Sequence, residues 1–130
     1  MSYVWVSAEE AIALHEKVVE RFGGSSGILD SGLLESAITR PQNLAYYSLD
    51  ASVFELAAAY GFGLTKNHCF VDGNKRTAFV VMIVFLLLNG HELIVPEPEA
   101  VDVMMALAKS ELSQEELAEW VSLNAVQISN

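Results

Sequence analysis

Residues 68–76 read His68-Cys69-Phe70-Val71-Asp72-Gly73-Asn74-Lys75-Arg76, a run in which a base, an acid, a glycine and two cations follow closely. Those residue types suit the handling of phosphate. Gly73 lets backbone approach a ligand, and a helix beginning at Asn74 would present N–H groups with no intrahelical partner. With the helix dipole they form an anion site. Lys75 and Arg76 fall in that first turn, where positive charge opposes the dipole and would serve stability poorly. A bound phosphate reverses that sign. Asp72 can cap the helix or hold Mg²⁺, which prefers one or two carboxylates plus phosphate oxygens. His68, four residues earlier, can act as a general base near neutral pH, and Phe70 reads as the loop's anchor in the core. Lys66 joins Lys75 and Arg76 in an electropositive island on a chain of net charge -10, which points to a local anion site rather than a basic face. Singly, each residue has a plainer reading as a cap, a turn former or a solvated charge. Those readings do not predict the conjunction.

The rest of the composition narrows the class. Net charge of -10 disfavours nucleic acid, whose non-specific binding needs Lys and Arg to neutralise phosphates. The acids concentrate in residues 91–130, where eight face Lys109 alone. The one cysteine, Cys69, allows no internal disulfide, and no Cys/His spacing is of zinc type, which fits a reducing cytoplasm. The N-terminus lacks a signal peptide's basic and apolar regions. The longest apolar run, Ala78 to Leu88, is eleven residues, too short for a membrane span, and reads as a helix buried on all sides. A chain of 130 residues is expected to form one domain over 1–130.

The elements that must position the motif are helical. Ser7-Ala8-Glu9-Glu10 is a capping box opening a helix that Gly23-Gly24 closes. Ala11, Leu14, Val18 and Phe22 should form its buried face. Asp30 can cap a short second helix ending near Arg40-Pro41, and Gln42 to Asp50 is loop-like. A third helix runs from about Ser52 to Lys66, and the motif turn then leads into a helix from about Asn74 to Leu88, ended by Asn89-Gly90. Two more are expected, near Glu99–Ala108 and from Ser113 to about Asn124. Two β-prone runs, Tyr3–Val6 and Glu92–Val95, should pair with each other to satisfy their backbones. The fold class is all-α, a helical bundle with a minor two-stranded β element.

The motif resembles the signature of the Fic/Doc family, His-x-Phe-x-(Asp/Glu/Asn)-(Gly/Ala)-Asn-x-Arg, and in particular its Doc (death-on-curing) branch, where the last x is lysine. The likeness continues in Glu10-Ala11-Ile12-Ala13-Leu14-His15, Arg21-Phe22-Gly23-Gly24 with Gly27, and Gly32-Leu33-Leu34-Glu35-Ser36-Ala37. Thr77-Ala78 and Asn89-Gly90 extend it over about residues 7–95. The resemblance implies that His68 deprotonates a target hydroxyl and that Asp72 holds Mg²⁺ against the nucleotide phosphates. It implies an anion hole of Gly73, Asn74, Lys75 and Arg76, with Arg76 on phosphate oxygens. Fic proteins that transfer AMP from ATP have glycine before the arginine and a second arginine three residues on. Here Lys75 and Phe79 occupy those places, as in the Doc branch. Proteins of that branch are toxins, each restrained by an antitoxin, that transfer the γ-phosphate of ATP to a threonine of elongation factor Tu.

No self-inhibitory helix is evident, since Ser31-Gly32-Leu33-Leu34-Glu35-Ser36 departs from the Fic pattern at its last position, so a separate antitoxin is expected. Cys69 reads as a small buried hydrophobe, His15 and His91 as surface or packing residues, and Trp5 and Trp120 as core. Tyr46 and Tyr47 stand where Fic proteins carry a target-docking flap, here short. The competing readings are an AMP transferase and a catalytically silent helical binding subunit. The presence of both His68 and Asp72 argues against silence.

Overall fold

A computed structural model describes residues 2–128. Six helices form in chain order: α1 (Ala8–Phe22), α2 (Ser31–Tyr47), α3 (Val53–Asn67), α4 (Asn74–Leu88), α5 (Glu97–Ala108) and α6 (Gln114–Asn124). Two short strands, β1 (His91–Leu93) and β2 (Ala125–Gln127), complete the bundle. The all-α fold with a minor β pair is the one expected.

Helix α3 is the centre, packed against α2, α4, α5 and α6. Its small residues allow this. Ala57, Ala58 and Ala59 are fully buried, and a Cβ on Gly61 would collide with Met82 of α4 and stand 3.2 Å from Leu117 of α6. On Gly63 it would lie 3.2 Å from the Ala37 backbone of α2. Larger side chains would force apart the helices that carry the motif at their ends.

Three elements differ from expectation. The β1 strand pairs antiparallel not with Tyr3–Val6 but with β2, in the register His91↔Gln127, Glu92↔Val126 and Leu93↔Ala125. The N-terminal run finds its backbone partners in side chains. Val6 N–H donates to the Tyr60 hydroxyl at 2.8 Å, which donates to the Val6 carbonyl at 3.1 Å. Asn89 does the same for Val4, accepting at 2.9 Å and donating at 3.0 Å.

Helix α2 also runs on through Pro41 to Tyr47, where a loop was expected. Proline removes one hydrogen bond and disfavours a helix interior by ~3 kcal/mol. The stripe Leu34, Ala37, Ile38 and Pro41, buried and continued by partly buried Leu44, outweighs that. Finally, α4 is buried on one face only. Phe85 and Leu86 are in the core while Leu87 and Leu88 are exposed.

Candidate active site

Helix α3 ends at Asn67, and His68 follows as its C-cap in the left-handed region, φ 49° and ψ 52°. Histidine is among the residues that tolerate this conformation. It turns the chain at once and leaves the imidazole exposed. Among the described residues that ring has no hydrogen-bond partner, so it is available to a substrate. Cys69 and Phe70 then plunge inward, at 0% and 1% exposure. Burial pushes the Cys69 thiol up to about 11, and an inert thiol is the result.

The turn is fixed from three sides. Asn74, buried at the start of α4, clasps Phe70 with both ends of its amide. Its Oδ1 accepts from the Phe70 N–H at 2.9 Å and its Nδ2 donates to the Phe70 carbonyl at 2.9 Å. The segment before α2 lies antiparallel to the motif through the bridge Ile28↔Phe70. Leu29 N–H donates to the Cys69 carbonyl at 2.8 Å and Val71 N–H to the Gly27 carbonyl at 3.1 Å. From α1, the His15 ring stacks on Phe70, centroids 3.9 Å apart and planes within 6°. Its Nε2 donates to the Asp72 carbonyl at 2.7 Å, because a carbonyl can only accept.

The polar groups that remain point to solvent. Asp72 is exposed, and its Oδ1 accepts from the Gly73 N–H at 2.9 Å and its Oδ2 from the Ser25 N–H at 3.3 Å. Each oxygen keeps a lone pair, so one carboxylate beside a polyphosphate fits the ligand set of Mg²⁺. Gly24 comes so close that a Cβ there would lie 2.7 Å from Asp72 Oδ2, at a φ of 109° that itself favours glycine. Gly73, φ 74°, begins α4 with no side-chain cap, and no acid lies in the first turn. Lys75 and Arg76 are exposed there.

The structure therefore brings His68, Asp72, Gly73, Asn74, Lys75 and Arg76 onto one turn and its helix. It does not bring Lys66 to them. The Lys66 ammonium donates to the Ser110 hydroxyl and to the Ala108 carbonyl at 3.5 Å, past the end of α5. Asn74 spends its side chain on Phe70, leaving only its backbone N–H for an anion. The sequence pattern predicts a surface or packing place for His15 and puts Leu14 on the buried face of α1. The buried stripe is Ala11, His15 and Val18, and Leu14 is half-buried. An i, i+4, i+7 spacing was visible, but not that it faces the motif.

A profile of the Fic/DOC family matches residues 5–86. A protein kinase doc of Escherichia phage P1 is 36% identical over 114 residues, covering 88% of this chain and 90% of its own length. The chain belongs to the Fic/Doc family. A Toxin Doc of Mycolicibacterium smegmatis, 45% identical over 74 residues, covers 55% of this chain and 56% of its own. Both relatives carry the name Doc, which places the chain on that branch.

Proposed function

We propose that this chain is a Doc-type toxin that transfers the γ-phosphate of ATP to a hydroxyl side chain of a target protein, a threonine of elongation factor Tu by family resemblance. The observation that carries this reading is the turn itself. An exposed base and an exposed carboxylate stand at the mouth of a helix start that has no side-chain cap and carries two cations. The names of the relatives, protein kinase doc and Toxin Doc, agree with it.

His68 takes the proton of the target hydroxyl as its oxygen attacks the terminal phosphorus. An O–P bond forms, the bond to the β-phosphate oxygen breaks, and ADP leaves with the electron pair. The N–H groups of Asn74, Lys75 and Arg76, with the Arg76 guanidinium, stabilise charge on the phosphate oxygens. Asp72 would hold Mg²⁺, which neutralises phosphate charge when bound. His15 and Asn74 keep the turn in shape.

Lys75 favours phosphate over AMP transfer. Small residues at a helix-start nest admit phosphates most freely. A lysine adds bulk and charge where an α-phosphate would have to settle, so the terminal phosphate lies nearest His68. Phe79 supports this, because no second arginine stands three residues beyond Arg76 to grip the γ-phosphate in the AMP-transfer pose.

Among the described residues no helix is long and apolar enough to cross a membrane, and the reading places the toxin in the cytoplasm. Restraint would come from a small antitoxin whose C-terminal segment folds on contact as an amphipathic helix. The chain is incubated with bacterial extract and ATP labelled at the α or the γ position. Label from γ alone, with a target mass gain of ~80 Da, is expected of phosphoryl transfer. Label retained from α would replace the kinase with the AMP transferase. Growth arrest by the wild type, relieved by a co-expressed neighbouring short reading frame, tests the toxin–antitoxin part. No arrest at high expression would remove it.

A further inference from the structure

Phe22 is the last residue of α1, and 51% of its surface is exposed. Its ring is not among the side chains packed on the core. It carries cations instead. The guanidinium carbon of Arg76 stands over the ring 3.8 Å from its centroid, and that of Arg21 at 5.5 Å. On a chain of net charge -10, neither guanidinium has an ion-pair partner among the described residues.

Arg21 sits well without help, since the last turn of a helix favours a cation. Arg76 does not, because the first turn of α4 repels it. The face of an aromatic ring attracts a cation within about 6 Å, so Phe22 offsets that repulsion. It does so without using the guanidinium's N–H donors, which lie in the plane of the fork and stay free for an oxyanion. A carboxylate partner would have taken those donors and cancelled the charge. An arginine held against a ring also has less side-chain freedom left to lose when it closes on phosphate.

Phe22 continues a line of α1 residues that meet the motif. His15 bonds the Asp72 carbonyl, Val18 lies 3.6 Å from where a Gly73 Cβ would be, and Phe22 reaches Arg76. The first two hold the turn itself, and the third has two guanidinium groups over its ring.

We propose that Phe22 is a positioning residue that holds the Arg76 guanidinium ready for a phosphate oxygen of the nucleotide. This rests on the reading that the start of α4 binds phosphate.

Calorimetry of Mg-ATP binding to the full chain tests it, with Phe22→Leu, Phe22→Tyr, Arg76→Ala and the double variant Phe22→Leu/Arg76→Ala. Leucine keeps an apolar side chain and removes the ring. It should weaken binding roughly two- to fivefold, the size of a partly exposed cation–π contact. Tyrosine should restore it, the double variant should bind no worse than Arg76→Ala alone, and the Tm of Phe22→Leu should match wild type. A loss in Phe22→Leu that adds to that of Arg76→Ala would overturn the proposal, as would a failure of tyrosine to rescue. Tighter binding by Phe22→Leu would also overturn it, since the ring would then be parking the arginine away from phosphate. If Arg76→Ala binds ATP as wild type does, the phosphate-site reading itself falls. A weakened Arg76→Ala beside an unaltered Phe22→Leu removes only the role of Phe22.

Discussion

Helices α3 and α4 meet at the motif, yet they begin in opposite ways. At the start of α3, Ser52 accepts from the Glu55 N–H at 3.1 Å, and Glu55 accepts from the Ser52 N–H at 2.9 Å. Helices α1 and α6 begin with the same reciprocal pair, Ser7 with Glu10 and Ser113 with Glu116. Each such start satisfies its exposed donors and sets acids against the positive end of the dipole. Helix α4 has neither device. Gly73 has no side chain to offer, and Lys75 and Arg76 add charge of the wrong sign. Helix α2 has the Asp30 cap, and α5, which also lacks a side-chain cap, has Glu97 and Glu99 in its first turn, so among the described helices α4 alone starts with neither a cap nor an acid. The difference supports the proposed phosphate site, since an anion is what the free donors and cations at the start of α4 would accept.

The largest effect should come from the base beside that open start. His68→Ala is expected to fold as wild type, keep nucleotide binding and lose transfer at least ~100-fold, the usual weight of general base catalysis. Full transfer by this variant in the labelled-ATP assay would leave the open start as a binding site without chemistry.

Next is a variant that makes α4 begin like its neighbours. Lys75→Glu with Arg76→Glu supplies the acids found in the first turns of α1 and α6. ATP binding should be lost to calorimetry while Tm stays level or rises, since each favourable charge at a helix start is worth about 0.3–1 kcal/mol. A sharp fall in Tm would show that the two bases hold the fold together, and the contrast between the helix starts would lose its meaning.

The converse is smaller. Ser52→Ala removes a cap that serves stability alone, so it should cost about 1 kcal/mol in denaturant unfolding and leave transfer per folded molecule unchanged. A loss of transfer out of proportion to unfolding would tie the start of α3 to the reaction after all.

The smallest effect is seen only in alkali. Burial holds the Cys69 thiol up to about 11 and the Tyr60 phenol up to about 12, from ordinary values of 9.0 and 10.0. The folded state keeps these protons longer than the unfolded chain. Their contribution is therefore complete below pH about 9 and is lost as pH rises through the folded values. Tm should be insensitive to these groups at neutral pH and decline above pH about 9, and Cys69→Ala should flatten the first part of that decline. An unchanged decline in Cys69→Ala would mean that the thiol is not the buried group it is taken to be, and the inside of the motif turn would need another account.

Much of the site could be read from residue order because its parts are local. Nine consecutive residues supply the base, the carboxylate, the glycine and the cations. The turn between two helices follows from Gly73 and from apolar runs on either side. Capping boxes at Ser7, Ser52 and Ser113 gave those helix starts for the same reason, since a cap is satisfied within one turn. Pro41 misled, because a local penalty was set against a packing gain that depends on α3. The β pairing misled likewise. Tyr3–Val6 and Ala125–Gln127 could each have lain beside β1, and the choice fell to Tyr60 and Asn89, whose hydroxyl and amide satisfy the N-terminal run from the side.

The sequence by itself determined the helical class, the motif and the residue types available to a phosphate. The tertiary structure decided which of those residues are free to meet one. It turned Lys66 toward Ser110, committed the Asn74 amide to Phe70, and set His15 under Asp72 and Phe22 under Arg76. All but the Asn74–Phe70 clasp, which spans four residues, join distant parts of the chain, where spacing alone does not fix who meets whom. Those of His15 and Phe22 depend on α1 crossing the start of α4, and that of Lys66 on α5 packing against α3, and both arrangements are products of the whole core, which no stretch of residues encodes alone.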